Sequence, residues 1–310
     1  MPFEIPKVAV LLAAYNGMSW IEEQLASILA QTGVHVSIFI SVDPSTDGTE
    51  DWCAEYALSH PGVSLLPPAG PFKGAARNFF RLIRDVDFSA FDFVSFSDQD
   101  DIWYPDKLER AVAKLRSDDV DGYSSNVVAF WPNGRRMLVD KAQPQVQWDH
   151  LFEAAGPGCT YVLKPALAAG FKTLIVEEWE RVQEVALHDW FCYAYARSHG
   201  FKWFIDPVPG MDYRQHANNQ VGVNSGLASA ITRLCRIVDG WWLKQVKLTS
   251  SLLGSGIPMG SHQLAWPLLN TRVCRRKLRD QIAFPIVYFL GTLQAYRGRE
   301  SVNAQEKNPP

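Results

Sequence analysis

The chain has few cysteines, and none is arranged for cross-linking or for metal. Its 310 residues hold five, Cys53, Cys159, Cys192, Cys235 and Cys274, an odd and scattered set. No two form a Cys-x-x-Cys pair and none stands beside histidine at zinc-ligand spacing. A disulfide framework and a structural zinc are therefore not expected, which fits a reducing compartment. Long apolar runs are missing too: the nearest, Ile282 to Leu293, is interrupted by Pro285 and is too short to cross a bilayer. The first residues, Met1-Pro2-Phe3-Glu4-Ile5-Pro6-Lys7, lack a basic stretch followed by an apolar one, so no secretory leader is expected and the cytoplasm is the expected location. Nor is there a large net charge. With 30 Lys+Arg against 33 Asp+Glu, the total of -3 implies no nucleic-acid partner.

What is present is ordinary core material, 47% hydrophobic with 20% charged residues, as in a globular protein. The charge is unevenly spread. Residues 227 to 310 carry 12 Lys/Arg and 4 Asp/Glu, a net of +8, which leaves -11 for residues 1 to 226. An acidic body and a basic tail are expected to meet different partners.

Strand and helix patterns alternate through the first half. Val8-Ala9-Val10-Leu11-Leu12 reads as a buried parallel strand, and Ile21, Leu25, Ile28 and Leu29 mark one face of a helix. Val36–Val42 is a second strand, and Ser45-Thr46-Asp47-Gly48 opens a helix running to about Leu58. A weak strand at Val63–Leu66, a helix at Ala75–Val86, a strand at Phe91–Ser97 and a helix at Lys107–Leu115 follow. Such repeats predict a parallel sheet covered by helices, with ligands bound beyond the carboxyl ends of its strands. Asn16, Asp43 and Asp98 each fall at such an end. Farther on, Val127–Phe130 and Met137–Val139 flank Pro132-Asn133-Gly134 and predict a hairpin. Val182–Arg197 has a helical period, Trp203–Ile205 reads as the last strand, and Asp212–Gly226 as a polar loop. Leu227–Leu253 and Leu268–Leu293 read as helical, separated by the Gly/Ser/Pro-rich stretch Gly254–Ser261.

The richest chemistry lies at Asp98-Gln99-Asp100-Asp101, three carboxylates at the end of an apolar run. Like charges packed together need something cationic to offset them. Oxygen ligands suit a hard cation such as Mg²⁺ or Mn²⁺, which fills its remaining positions with substrate phosphates. The cluster thus points to a metal site that grips a nucleotide diphosphate. On its own it equally fits a solvated turn capping the helix that begins near Pro105 and Asp106.

The surrounding segments narrow the choice. Ala13-Ala14-Tyr15-Asn16-Gly17, Ser45-Thr46-Asp47-Gly48-Thr49, Asn78-Phe79, Phe96–Trp103, His188-Asp189-Trp190 and Tyr213-Arg214-Gln215-His216-Ala217-Asn218-Asn219 occur in this order. Together they resemble a family-2 glycosyltransferase of the GT-A fold, and within it the bacterial cell-surface polysaccharide group that includes many rhamnosyltransferases. The resemblance implies an α/β, Rossmann-like domain over residues 1–226: a mostly parallel mixed sheet flanked by helices. Its nucleotide-binding half would cover about 1–117 and its acceptor half about 118–226, with a helical appendage over 227–310. It further implies a metal-dependent inverting transfer of a sugar, rhamnose among the candidates, from a nucleotide-diphosphate-sugar to a glycan hydroxyl, lipid-linked in many relatives.

By the same resemblance Asp98 contacts the donor nucleoside and shares the metal, Asp100 holds the metal, and His216 is a second ligand. Asp189 is the general base that takes the acceptor proton, placed by the family at the start of a helix, so either the helix read from Val182 begins later or two helical pieces meet here. Donor contacts fall at Ala14, Tyr15, Asn16, Asp43, Arg77, Asn78 and Gln99, with Lys73 close by. The match departs from the pattern at Val42-Asp43-Pro44-Ser45-Thr46-Asp47, where many relatives carry Asp-Asp-Gly-Ser-Thr-Asp. Gly158 and Cys159, in Gly156-Pro157-Gly158-Cys159-Thr160, resemble the segment leading to the acceptor, and Trp103, Trp148 and Trp190 are candidates to stack on sugar rings.

The tail joins Arg272, Arg275, Arg276, Lys277 and Arg279 to the apolar stretch Ile282–Leu290, with Trp241 and Trp242 upstream. This composition suits the surface of an anionic membrane, and equally a helical appendage packed on protein. Two other functions share part of this pattern. A sugar nucleotidyltransferase needs a Gly-rich basic loop after the first strand, which Ala14-Tyr15-Asn16-Gly17 lacks. A non-catalytic sugar-nucleotide or glycan binder would not need Asp98, Asp100, Asp189 and His216 together. The oligomeric state and the choice between Mn²⁺ and Mg²⁺ are not encoded legibly.

Overall fold

The computed structural model describes residues 4–216, 239–254, 266–290 and 292. The described residues divide into two compact units. The first contains those up to Ala142 and from Ala154 to residue 216. The second joins Gln143–Glu153 to the described residues beyond 224. The boundary expected near 226 lies outside the described residues.

The first unit is built from strands β1 (Lys7–Ala14), β2 (His35–Val42), β3 (Val63–Leu65), β4 (Phe93–Ser97), β5 (Ile102–Trp103), β6 (Gly122–Ser125), β7 (Val127–Phe130), β8 (Arg136–Val139), β9 (Val162–Leu163), β10 (Trp203–Asp206) and β11 (Met211–Arg214). Its helices are α1 (Ile21–Leu29), α2 (Thr49–Ser59), α3 (Ala75–Asp85), α4 (Lys107–Ser117), α5 (Pro165–Glu177), α6 (Trp179–Val182) and α7 (His188–Ser198). Seven strands form the main sheet in the order β10-β6-β9-β4-β1-β2-β3. Only β9 runs against the rest. The mostly parallel mixed sheet predicted from the strand–helix repeats is what the chain forms.

The central strand β1 is apolar on both faces because helices cover both, so Val8 through Leu12 are buried without alternation. Ile21, Leu25 and Ile28 bury one face of α1, and Phe79, Phe80, Leu82 and Ile83 anchor α3. The register sets the site. Ala14 stands opposite Val42, and Leu12 opposite Ser97, so the loops after β1, β2 and β4 leave the sheet side by side. A smaller sheet, β5-β11-β7-β8, carries the hairpin of β7 and β8, paired from Val127–Val139 to Phe130–Arg136.

Two local expectations differ from the structure. Of the helix expected over Val182–Arg197, only the part from His188 is formed: α6 ends at Val182, and an extended residue, Leu187, precedes α7. The apolar period runs through this break, so nothing in the pattern marks it. Tertiary contacts do: His188 stacks on Phe79 at 3.8 Å between ring centroids. Trp203–Asp206 is also not the last strand. β11 follows inside the stretch expected as a loop, held between β5 and β7 by main-chain pairing that its polar side chains do not advertise.

In the second unit, Trp242, Phe152, Phe284 and Tyr288 form an aromatic core, with ring centroids 5.1 Å apart for Phe152–Phe284 and 5.9 Å for Trp242–Phe284. The buried Arg276 guanidinium lies 3.6 Å from Asp149 and 3.5 Å from Glu153. Arg275 reaches Asp280 at 3.7 Å and donates to the Phe152 carbonyl at 2.7 Å. The tail therefore differs in part from the basic, membrane-facing surface that its composition suggests. Arg275, Arg276 and Trp242 are spent on internal packing and pairing, because the acidic segment 143–153 supplies them with partners. No helix among the described residues is long and apolar enough to cross a membrane.

Candidate active site

The loops leaving β1, β2 and β4 are stitched together by side chains. Gln99 clamps the main chain of Tyr15: its Oε1 accepts from the Tyr15 N–H at 2.7 Å and its Nε2 donates to the Tyr15 carbonyl at 2.8 Å. Asn16 sits at φ 46°, a left-handed conformation that asparagine tolerates. There its Oδ1 accepts from the Thr46 N–H at 2.8 Å, while its own N–H donates to Ser45. Thr49 and Asp47 accept from the N–H groups of Gly17 and Met18. Ala14, Tyr15, Asn16, Gln99 and the Ser45–Thr49 segment thus form one rigid rim.

Below that rim, three donor-side candidates are engaged within the protein. Asp43 accepts from the N–H groups of Phe72 (2.7 Å) and Lys73 (3.0 Å). The buried Asn78 donates to the Ser41 carbonyl at 2.9 Å and accepts from the Ser41 hydroxyl. Arg77 donates to the carbonyl of Gln183 at 2.8 Å. All three brace the loops around the strand ends.

The acidic motif follows β4 and splits into an outer and an inner part. Outward, Asp100 Oδ2 lies 2.6 Å from His216 Nε2. The imidazole stacks on Trp20, with ring centroids 4.1 Å apart and planes tilted by 21°. Inward, Asp101 is buried, and its Oδ1 accepts from the Arg214 N–H at 3.0 Å. Arg214 also donates to the Asp100 carbonyl at 2.8 Å. These bonds tie the end of β11 to the motif and deliver His216 to Asp100. Ligand atoms of Asp98, Asp101 and Cys159 lie within 4.8 Å of one another.

Burial dominates the electrostatics. It pushes Asp98 up to about 7, with help from the Asp100 charge and against a hydrogen bond from Cys159. Burial and the charges of Asp100 and Asp98 hold Asp101 well above the usual carboxylate range. Protons stay on these groups because too little positive charge is at hand. A set of carboxylates and one imidazole, short of positive charge, suits a hard divalent cation, and the structure brings its ligand atoms together in two places, the Asp100–His216 pair and the Asp98–Asp101–Cys159 group. One internal cation is already there. Lys107 is buried, with its Nζ 3.3 Å from the Trp103 ring centroid. Burial pulls it down to about 7, against the fields of Cys159 and Asp101.

Asp189 occupies the first turn of α7, where a carboxylate is favoured by the helix dipole. It accepts from the Trp190 N–H at 2.7 Å and from the N–H of Gly158. Burial raises it to about 6, against these bonds and the charge of Lys141. Gly158 must be glycine for space: a Cβ there would stand 2.6 Å from His188 Nε2 and 3.0 Å from the Asp189 Cβ. Burial drives His188 down to about 3, so this neighbour is neutral.

Of the residues expected from sequence, Asp98, Gln99, Asp100, Asp189 and His216 come together with Ala14, Tyr15 and Asn16 at the strand ends. Trp103, Trp190 and Cys159 are buried, which leaves the two rings no open face for a sugar. Trp20 and Lys107 carry no sequence signal that marks them for the site, and Arg214 stands in the motif that holds His216 without a role read for it. The stretch Ala217–Asn219 lies outside the described residues.

Comparison with known proteins identifies the family. The family described as "Glycosyl transferase family 2" matches residues 9–172. A dTDP-rhamnosyl transferase, RfbG of Shigella flexneri, is 49% identical over 290 residues, covering 90% of this chain and 99% of that protein. A UDP-Glc:alpha-D-GlcNAc-diphosphoundecaprenol beta-1,3-glucosyltransferase of Escherichia coli, WfgD, is 26% identical over 159 residues, covering 50% of this chain and 59% of its own. The crystal structure of S. aureus TarS 1-349 in complex with UDP-GlcNAc shares the fold, with a TM-score of 0.53 at 14% identity over 94% of this chain and 92% of that one. The chain belongs to glycosyl transferase family 2 and is a sugar-transferring enzyme.

Proposed function

We propose that this enzyme transfers rhamnose from dTDP-rhamnose to a hydroxyl of a growing cell-surface glycan, with inversion and with the help of Mn²⁺ or Mg²⁺. The observation that carries the chemistry is the placement of Asp189 and the Asp98–Asp101 motif around one group of strand ends. The donor follows from the 49% identity to RfbG over nearly the whole of both chains.

The residues divide the work. The rim of Ala14, Tyr15 and Asn16, fixed by Gln99, receives the donor nucleotide. Asp100, His216 and Asp98 hold the cation, which when bound offsets the charge of the departing diphosphate. Asp189 takes the proton from the acceptor hydroxyl as that oxygen bonds to the anomeric carbon. The bond from that carbon to the diphosphate oxygen breaks, and dTDP leaves with the electron pair. Raised to about 6, Asp189 is ionised at neutral pH yet more basic than an ordinary carboxylate, as a general base needs to be. Its bonds from Gly158 and Trp190 aim the carboxylate. The acceptor is a lipid-linked glycan in this proposal, by analogy with the GlcNAc-diphosphoundecaprenol acceptor of WfgD.

The test is transfer from dTDP-rhamnose to lipid-linked glycan acceptors by wild type and Asp189→Asn. Loss of turnover with donor binding retained supports the assignment. Equal turnover in both proteins removes Asp189 from the role.

A further inference from the structure

The second unit ends its described part in a helix over residues 278–290 that is apolar on two opposite faces. One face is satisfied: Phe284 and Tyr288 are buried in the aromatic core with Trp242 and Phe152. The other is not. Leu278, Ile282, Ile286 and Phe289, spaced so that they form one stripe, are 71%, 69%, 65% and 52% exposed. A helix apolar all round is normally buried all round. Four large side chains in a row present roughly 450 Å² of apolar surface, the size of the largest patch on a typical soluble monomer, which is often functional.

Charge indicates what covers it. Arg279, in the same turns, is 83% exposed with its Nε 3.4 Å from the neighbouring Asp280, and Arg272 is exposed as well. Lys277 lies between them. Over the described residues of this unit, seven Lys/Arg stand against four Asp/Glu, a net of +3. Shared between two copies, the stripe would bury roughly 900 Å², below the ~1,200 Å² of a stable protein pair. At about 20 Å the helix is too short to cross a bilayer, but long enough to lie along its surface.

We infer that this stripe is a docking surface for an anionic lipid bilayer. The helix lies in the membrane plane, with Leu278, Ile282, Ile286 and Phe289 among the acyl chains, and Arg272, Lys277 and Arg279 against the headgroup phosphates. The inference takes its purpose from the lipid-linked acceptor proposed above, but its observation is independent of that reading.

The experiment is flotation of the full chain with vesicles of phosphatidylcholine alone or with phosphatidylglycerol added, without donor or acceptor. Wild type, Ile282→Glu/Ile286→Glu and Arg272→Glu/Arg279→Glu are compared, with dTDP binding and molar mass in solution measured for each. Wild type should float on anionic vesicles at least tenfold more than on neutral ones. The Ile pair should lose binding at least tenfold, and the Arg pair should lose the preference for anionic lipid. All three should bind dTDP alike and share one molar mass. No flotation of wild type on anionic vesicles, or flotation unchanged in the Ile pair, overturns the inference. So does a wild-type dimer that the Ile pair breaks, which would assign the stripe to a second copy. Each of these results leaves the sugar-transfer assignment standing, and failed transfer with intact flotation leaves this inference standing.

Discussion

His216 and Asp100 are 116 positions apart in sequence, and their side chains meet at 2.6 Å. The contact is built from both sides: Trp20 backs the imidazole, and Arg214 anchors the end of β11 to the main chain and carboxylate of the motif. It sets the outer edge of the proposed metal site.

Asp100→Ala should abolish Mn²⁺ binding in the presence of dTDP, and His216→Ala should weaken it on the order of tenfold or more, as read by calorimetric titration. The pH dependence has a defined sign. Asp98 keeps its proton up to about pH 7, and a cation must displace that proton. Affinity should therefore rise between pH 6 and pH 8, with protons released on binding. Affinity that is flat over this range speaks against Asp98 as a ligand.

For Asp189 the active form is the carboxylate. With its pKa raised to about 6, kcat/KM should fall as pH drops below about 6 and level off above it. Asp189→Asn should lower kcat by about 10²- to 10⁴-fold with little change in donor KM. Steady-state rates at saturating cation separate this limb from the metal's own pH dependence.

Lys107 is buried against the Trp103 ring, and neither its Nζ nor Asp101 Oδ2 has a hydrogen-bond partner among the described residues. A buried polar group without a partner costs about 1–3 kcal/mol of stability. Lys107→Met, which keeps the volume and removes the amine, should therefore leave stability unchanged or raise it by that amount. Chemical denaturation of wild type and variant decides it, and a clear loss of stability would mean that the ammonium is held by the charges around it.

Gly158→Ala places a Cβ against His188 and Asp189. The start of α7 must shift, so turnover should fall along with a loss of about 1–3 kcal/mol of stability. Full activity at wild-type stability would show that the loop gives way freely.

Much of the fold was legible because its signals are local. The buried run of β1, the amphipathic faces of α1 and α3 and the turn before β8 each follow from period and composition. The candidate site was legible where charged and titratable residues are concentrated, at Asp98–Asp101, Asp189 and His216, which the fold brings to one end of the sheet. Other parts were hidden because they depend on distant partners. Lys107 looks like the polar start of an ordinary helix until the Trp103 ring covers it. Arg276 looks like part of a basic patch until Asp149 and Glu153 claim it. The break before His188 has no local mark, since the contact that requires it comes from Phe79.

The most direct measurement is calorimetric titration of a panel of nucleotide sugars into wild type and Asp100→Ala, with and without Mn²⁺. The expected result is saturable binding of dTDP-rhamnose in preference to UDP- and GDP-sugars, dependent on Mn²⁺ and lost in Asp100→Ala. Binding of dTDP-rhamnose that ignores both the cation and Asp100, or preference for another nucleotide, would contradict the proposed donor site.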